Sequence, residues 1–99
     1  MRVEITDRAA TDLRMIGRWI ARDNRPRSLT FIRELRQRCR AIGGRPRAYP
    51  LLRGFEASGI RRCNHRSYLI FYRIEKDHVR VLHVMHGARD WAALLSVGD

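Results

Sequence analysis

The chain has 99 residues, 44% of them hydrophobic and 31% charged, and its 21 basic against 10 acidic side chains give a formal net charge of +11. That length suits one domain over residues 1–99, with one core between two layers and little room for a second. Ordinary hydrophobic content argues against disorder, and no apolar run approaches the roughly 18–20 residues that a membrane span needs.

Val3-Glu4-Ile5 alternates apolar and polar and predicts a short first strand. Thr6 or Asp7 then supplies a helix N-cap, with Asp7 suited to the positive end of the helix. Leu13, Ile16, Gly17 and Ile20 follow at helical spacing, so a first helix runs to about Arg22. Asp23 to Pro26 is a polar break, and Asn24 or Ser28 caps a second helix with Pro26 in its first turn. That helix shows Phe31, Ile32, Leu35, Cys39 and Ile42 on one face, and Arg33, Arg36, Gln37 and Arg40 on the other. Gly43-Gly44 ends it, and the short break makes the two helices an antiparallel hairpin. Residues 45–50, with two prolines, form a loop. Three strands follow over 59–64, 67–74 and 79–85, the last apolar on both faces as a central strand would be. Residues 90–95 predict a short final helix. The order strand–helix–helix–three strands predicts an α+β domain with the hairpin laid over one face of an antiparallel sheet.

Charge and chemistry narrow the function less sharply. Twenty of the basic residues are Arg, and residues 1–50 carry 13 basic and 5 acidic side chains. The planar guanidinium suits carboxylates and phosphates alike, so the excess reads as an acidic partner, protein or nucleic acid, or as a solvated Arg-rich surface. Cys39 and Cys63 form no CxxC pair, offer no zinc cluster and should stay reduced. The N-terminus has no apolar stretch that reads as a secretory signal, which makes the cytoplasm the expected location. His83 and His86, three apart on a strand, point to opposite faces and cannot share a metal ion. His65 among Arg61, Arg62 and Arg66 suits RNA cleavage on paper, but alternating polar residues on an edge strand explain it better. Trp19 and Trp91 read as core residues, with a partner groove as the alternative.

The segments GIRR (Gly59–Arg62), YLIFYRI (Tyr68–Ile74) and HGARD (His86–Asp90), in this order in a basic chain of this length, resemble the RelE/ParE toxin superfamily and its ParE branch most. The resemblance implies a bacterial type II toxin that a small antitoxin neutralises, and that poisons DNA gyrase; the RelE branch instead cuts mRNA on the ribosome. Placed by motif, Arg62 and Arg89 keep two basic positions of the RelE catalytic set. Ile60 stands for a Lys, Leu69 for an Arg and Leu95 for a Tyr. These departures imply a binding toxin rather than a nuclease, although His86, Glu56 and Arg66 are present for a His/Glu/Arg variant of the site. On this reading Arg62, Arg66, Arg73, His86, Arg89, Asp90 and Trp91 contact the target. Leu13, Ile16, Trp19, Ile20, Arg33, Arg36 and Arg40 receive an acidic amphipathic segment of the antitoxin along the hairpin and across the sheet edge. No cofactor or metal is implied. Charge alone leaves a third reading, a plain nucleic-acid-binding module.

Overall fold

A computed structural model describes residues 1–97. Strand β1 (Arg2–Ile5) leads through Thr6 into helix α1 (Asp7–Ala21), and helix α2 (Arg25–Ile42) runs back beside it. A loop with a short 3-10 turn at Glu56–Ser58 leads to strands β2 (Ile60–His65), β3 (Tyr68–Ile74) and β4 (His78–His86), and helix α3 (Trp91–Val97) follows. The predicted element order and the α+β class therefore hold, with each boundary within about two residues.

Local chemistry accounts for the helix ends. The Thr6 hydroxyl accepts from Ala9 N at 3.1 Å and donates to the Val81 carbonyl at 2.8 Å, so the α1 cap also ties the helix to β4. Asn24 caps α2 by accepting from Arg27 N at 3.0 Å. Gly17 lies in the contact between the two helices. Buried Ser28 donates to the Gly17 carbonyl at 2.6 Å, and a Cβ at Gly17 would stand 3.3 Å from Ile32 Cγ1. A methyl group there would require the Ile32 side chain to give by a few tenths of an ångström.

The sheet order is β1-β4-β3-β2; the expected antiparallel pairing holds for β2–β3 and β3–β4 and is corrected at β1, which runs parallel to β4. β4 is thus a central strand, as its two apolar faces predict. A bulge shifts the β3–β4 register: Phe71 faces His83 but Tyr72 faces Val81. Two stretches at the sheet margins are covered. β1 reaches only as far as Val81, and beyond it the Asp12 carboxylate of α1 accepts from Val84 N at 2.9 Å. Along β2, Leu52 N donates to the Ile60 carbonyl at 2.7 Å and Arg62 N donates to the Pro50 carbonyl at 3.2 Å, so residues 50–52 form a strap.

The expectation of one core fails. Leu13, Phe31, Leu35, Cys39 and Ile42 of the hairpin pack on Cys63, Ile70, Tyr72, Val79, Val81 and Val84 across one face of the sheet. On the other face Leu52, Ile60, Leu69, Phe71, Met85 and Leu95 form a second cluster, edged by Phe55, Leu82, Trp91 and Leu94. A single sheet with apolar residues on both faces needs two covers. α3 and the strap are the second one.

Tyr72 fastens the main core to the loop after α2. It is fully buried, its hydroxyl donates to the Pro46 carbonyl at 2.6 Å, and burial pushes its pKa up to about 12. Tyr72→Phe removes the donor and leaves that carbonyl unpaired, so the loss should be about 1–3 kcal/mol. Urea denaturation measures it directly. An unchanged midpoint would mean that the carbonyl finds water instead.

Candidate functional site

The two sheet faces present two different surfaces, and strand alternation decides which side chain belongs to which. On the hairpin side, an open groove of about 390 Å³ lies between the α1–α2 turn and the ends of β3 and β4. Its walls include Trp19, Ile20, Arg27, Phe31, Arg66, Tyr68 and His86. Phe31 and Tyr68 have ring centroids 5.4 Å apart, and Tyr68 and His86 meet edge to face at 5.1 Å. Arg27 lies over the Phe31 ring at 5.0 Å, and Arg22 over Trp19 at 5.0 Å.

Trp19 corrects an expectation. It is not a core residue: 64% of its surface is exposed. Ile16 and Ile20 face the sheet, and a step of one residue along a helix turns Trp19 about 100° away from Ile20. Met15, one turn earlier, is also exposed. Leu13 and Ile16 need the opposite correction. They are 0% and 9% exposed, beneath the hairpin, and offer a partner almost no surface. Arg33 and Arg40 are exposed on α2 and Arg36 is half-buried, so the basic stripe of that helix stands on the outside as its periodicity predicts.

Beside the groove, Glu34 gathers three cationic side chains. Arg27 Nη1 pairs with it at 2.7 Å, His65 Nε2 lies 3.3 Å away and Arg66 Nε 3.9 Å away. The hydrogen bond from Arg27 holds the Glu34 carboxyl below its usual range. Arg66 sits at φ 53°, a left-handed conformation that few non-glycine residues adopt and that carries it over the tight β2–β3 turn. His65 is thus occupied with a carboxylate, which makes it a link between β2 and α2.

On the α3 side, Arg62 and Trp91 line a second cleft of about 370 Å³ with Pro50, Leu51, Leu52 and Arg53. Trp91 packs on Phe71, with centroids 5.5 Å apart. Arg73, also on β3, is tied to Glu75 at 2.8 Å. Arg89 and Asp90 are exposed just before α3, and the Asp90 carbonyl accepts from Leu94 N at 3.3 Å. The residues expected to contact a target are therefore divided. Arg62, Arg73 and Trp91 lie on the α3 side, while Arg66 and His86 line the hairpin groove beside Trp19 and Ile20.

Neither nuclease arrangement is assembled. Ile60, Leu69 and Leu95 are 6%, 8% and 8% exposed and belong to one apolar cluster. Where the resemblance would place a cationic, proton-moving centre, there is an apolar cluster. The His86, Glu56 and Arg66 set is also scattered. His86 pairs with Tyr68, which pairs with His65, at one end of the sheet. Glu56 precedes Ile60, which pairs with Arg73 at the other end, and its carboxylate accepts from Gly54 N. Five residues of strand separate the two rows, about 16 Å.

Both cysteines are fully buried, and burial pushes the Cys39 thiol up to about 12, which keeps it protonated and inert. Among the described residues no group of three or more His, Cys, Asp or Glu side chains could hold a metal ion, and no helix is long and apolar enough to cross a membrane. Sequence reasoning passed over Glu34, Phe31 and Tyr68 as site residues, and Leu51 to Arg53 of the strap. Glu34 had a signal, since it is the only acidic residue of α2.

Comparison with known proteins agrees with the fold. No curated protein matches the chain. A solved structure described as a chromosomal ParDE TA system from P. aeruginosa is similar, with a TM-score of 0.65 at 17% identity over 87% of this chain and 95% of that one. At that identity the likeness carries the architecture alone. The model of the family described as the ParE toxin of type II toxin-antitoxin system, parDE, matches residues 3–91. Matched over nearly its whole length, and with the helix hairpin, sheet and α3 in place, the chain belongs to the ParE toxin family.

Proposed function

We propose that this ParE-family toxin acts in the cytoplasm by binding DNA gyrase without itself performing a covalent reaction, and that a cognate antitoxin neutralises it. One observation carries the non-enzymatic reading: Ile60, Leu69 and Leu95 close together into an apolar cluster where a nuclease needs cations and a proton donor. Phosphodiester cleavage without proton transfer and charge stabilisation loses orders of magnitude in rate.

The hairpin side suits the antitoxin. Exposed Trp19, half-buried Ile20 and the α2 arginines Arg33, Arg36 and Arg40 fit an acidic amphipathic segment laid along the helices. Arg66 and His86, expected on the target surface, line the same groove and join this set. The strap over β2 means that an added strand there would first have to displace residues 50–52. The α3 side, with Arg62, Arg73, Arg89, Asp90 and Trp91, is left for the target. The net charge of +11 steers both encounters toward acidic surfaces, more weakly as salt rises.

The test uses purified gyrase and, separately, purified ribosomes charged with mRNA. The toxin should stop supercoiling and leave the mRNA intact. Cleaved transcripts with supercoiling untouched would replace this reading with the RelE-type one.

A further inference from the structure

The cleft on the α3 side has a chemistry that the fold does not use. Its walls are Pro50, Leu51 and Leu52 of the strap and the indole of Trp91, and Arg53 and Arg62 stand among them. Leu52 is buried and supports the floor, but Leu51 leaves 43% of its surface exposed. Arg62 is half-buried, yet neither its guanidinium nor that of Arg53 has an ion pair or a side-chain hydrogen bond among the described residues. Other arginines of the sheet are engaged: Arg73 with Glu75, Arg80 with Glu4 and Arg61 with the Tyr49 carbonyl. Among the described residues no carboxylate lines the cleft. It is thus an apolar hollow beside two cations that have no counter-charge among the described residues.

We propose that this cleft is the anchor point for the target protein, receiving a bulky apolar side chain whose neighbouring carboxylates pair with Arg53 and Arg62. The assignment deepens the gyrase-binding reading and rests on it. Tryptophan and arginine around a desolvated pocket are the residue types that dominate binding energy at protein interfaces. Pro50, Leu51 and Leu52 make up half of the lining, and such an aliphatic wall suits a peptide side chain; a base could stack on one side only, against the Trp91 indole. The hollow of about 370 Å³ is large enough for one leucine, phenylalanine or tryptophan side chain. It opens on the face of the sheet opposite the hairpin groove, so occupation of one site does not by itself fill the other.

Two variants test the cleft. Leu51→Glu places a repelling carboxylate at its mouth, and Arg53→Glu reverses one of its free cations; both positions are exposed, so the fold should survive. Each full-length variant is measured for melting temperature, for affinity to the cognate antitoxin, for inhibition of gyrase supercoiling, and for binding to gyrase free of DNA and to a short single-stranded DNA oligonucleotide. The expected result is wild-type melting and antitoxin affinity, with at least a tenfold higher toxin concentration for half-inhibition and a matching loss of affinity for DNA-free gyrase. Wild-type inhibition by both variants overturns the cleft assignment and leaves the gyrase reading standing. Unchanged binding to DNA-free gyrase with lost oligonucleotide affinity overturns it in favour of nucleic acid. A wild-type chain that leaves gyrase untouched overturns both readings together.

Discussion

Leu69→Arg should unfold the chain rather than create a nuclease. The substitution restores the cation that the RelE resemblance assigns to this position, so it is the natural attempt to revive catalysis. Leu69 is 8% exposed and packs with Ile60, Phe71, Met85 and Leu95. No described acidic residue belongs to that cluster, so the guanidinium would be buried unpaired. An uncompensated buried charge costs about 3–5 kcal/mol. A domain of this size has a total stability of roughly 5–15 kcal/mol, and small domains sit toward the lower end. Urea denaturation should show most of the cooperative transition gone, and a ribosome assay should show no cut transcript from whatever fraction folds. A variant that melts like the parent and cleaves mRNA would mean that the α3 side opens readily, and the argument against enzymatic action would fail with it.

Trp19→Ala should leave the fold alone and impair neutralisation. The indole is mostly in solvent, and its described cation–π partner is the neighbouring Arg22, so its removal changes stability by no more than about 0.5 kcal/mol. At an interface the same side chain belongs to the class of residues whose truncation costs 2 kcal/mol or more, roughly a thirtyfold loss of affinity. Titration calorimetry against the cognate antitoxin measures the effect, and toxicity should persist at antitoxin doses that silence the parent. Gyrase inhibition by the free variant should be unchanged, because Trp19 and the cleft lie on opposite sides of the sheet. Equal antitoxin affinity for parent and variant would remove the hairpin groove from the neutralisation surface.

The helices and strands were readable because each carries its own period. The α2 stripe of Phe31, Leu35, Cys39 and Ile42 came out buried, and Val79, Val81 and Val84 came out on the central strand. What was not readable lies between elements. The second core draws Leu52 and Phe55 from a loop and Trp91, Leu94 and Leu95 from a seven-residue helix, and segments so short show no periodicity. Trp19 was misplaced because a large apolar side chain one step off the stripe looks like core, although a helix turns it outward. The resemblance puts the candidate target residues in one set. Alternation along β2 and β3 sends Arg62 and Arg73 to one side, and the turn at Arg66 carries that residue to the other. Chain order carries no information about that partition. That Ile60, Leu69 and Leu95 are apolar where the RelE resemblance expects Lys, Arg and Tyr was legible residue by residue. That these three side chains touch the same apolar cluster, and so exclude water together, was not.

The Asp12 carboxylate on the overhang of β4 and the strap along β2 also govern how molecules of this toxin behave toward one another. Unsatisfied amides on a strand margin are templates on which further chains can add, the first step toward fibrils. Here Val84 N and the Ile60 carbonyl are already engaged within the molecule, and a positive charge on every copy keeps neighbours apart. A toxin released from its antitoxin should therefore remain dispersed as separate particles and free to diffuse, instead of being silenced by its own precipitation.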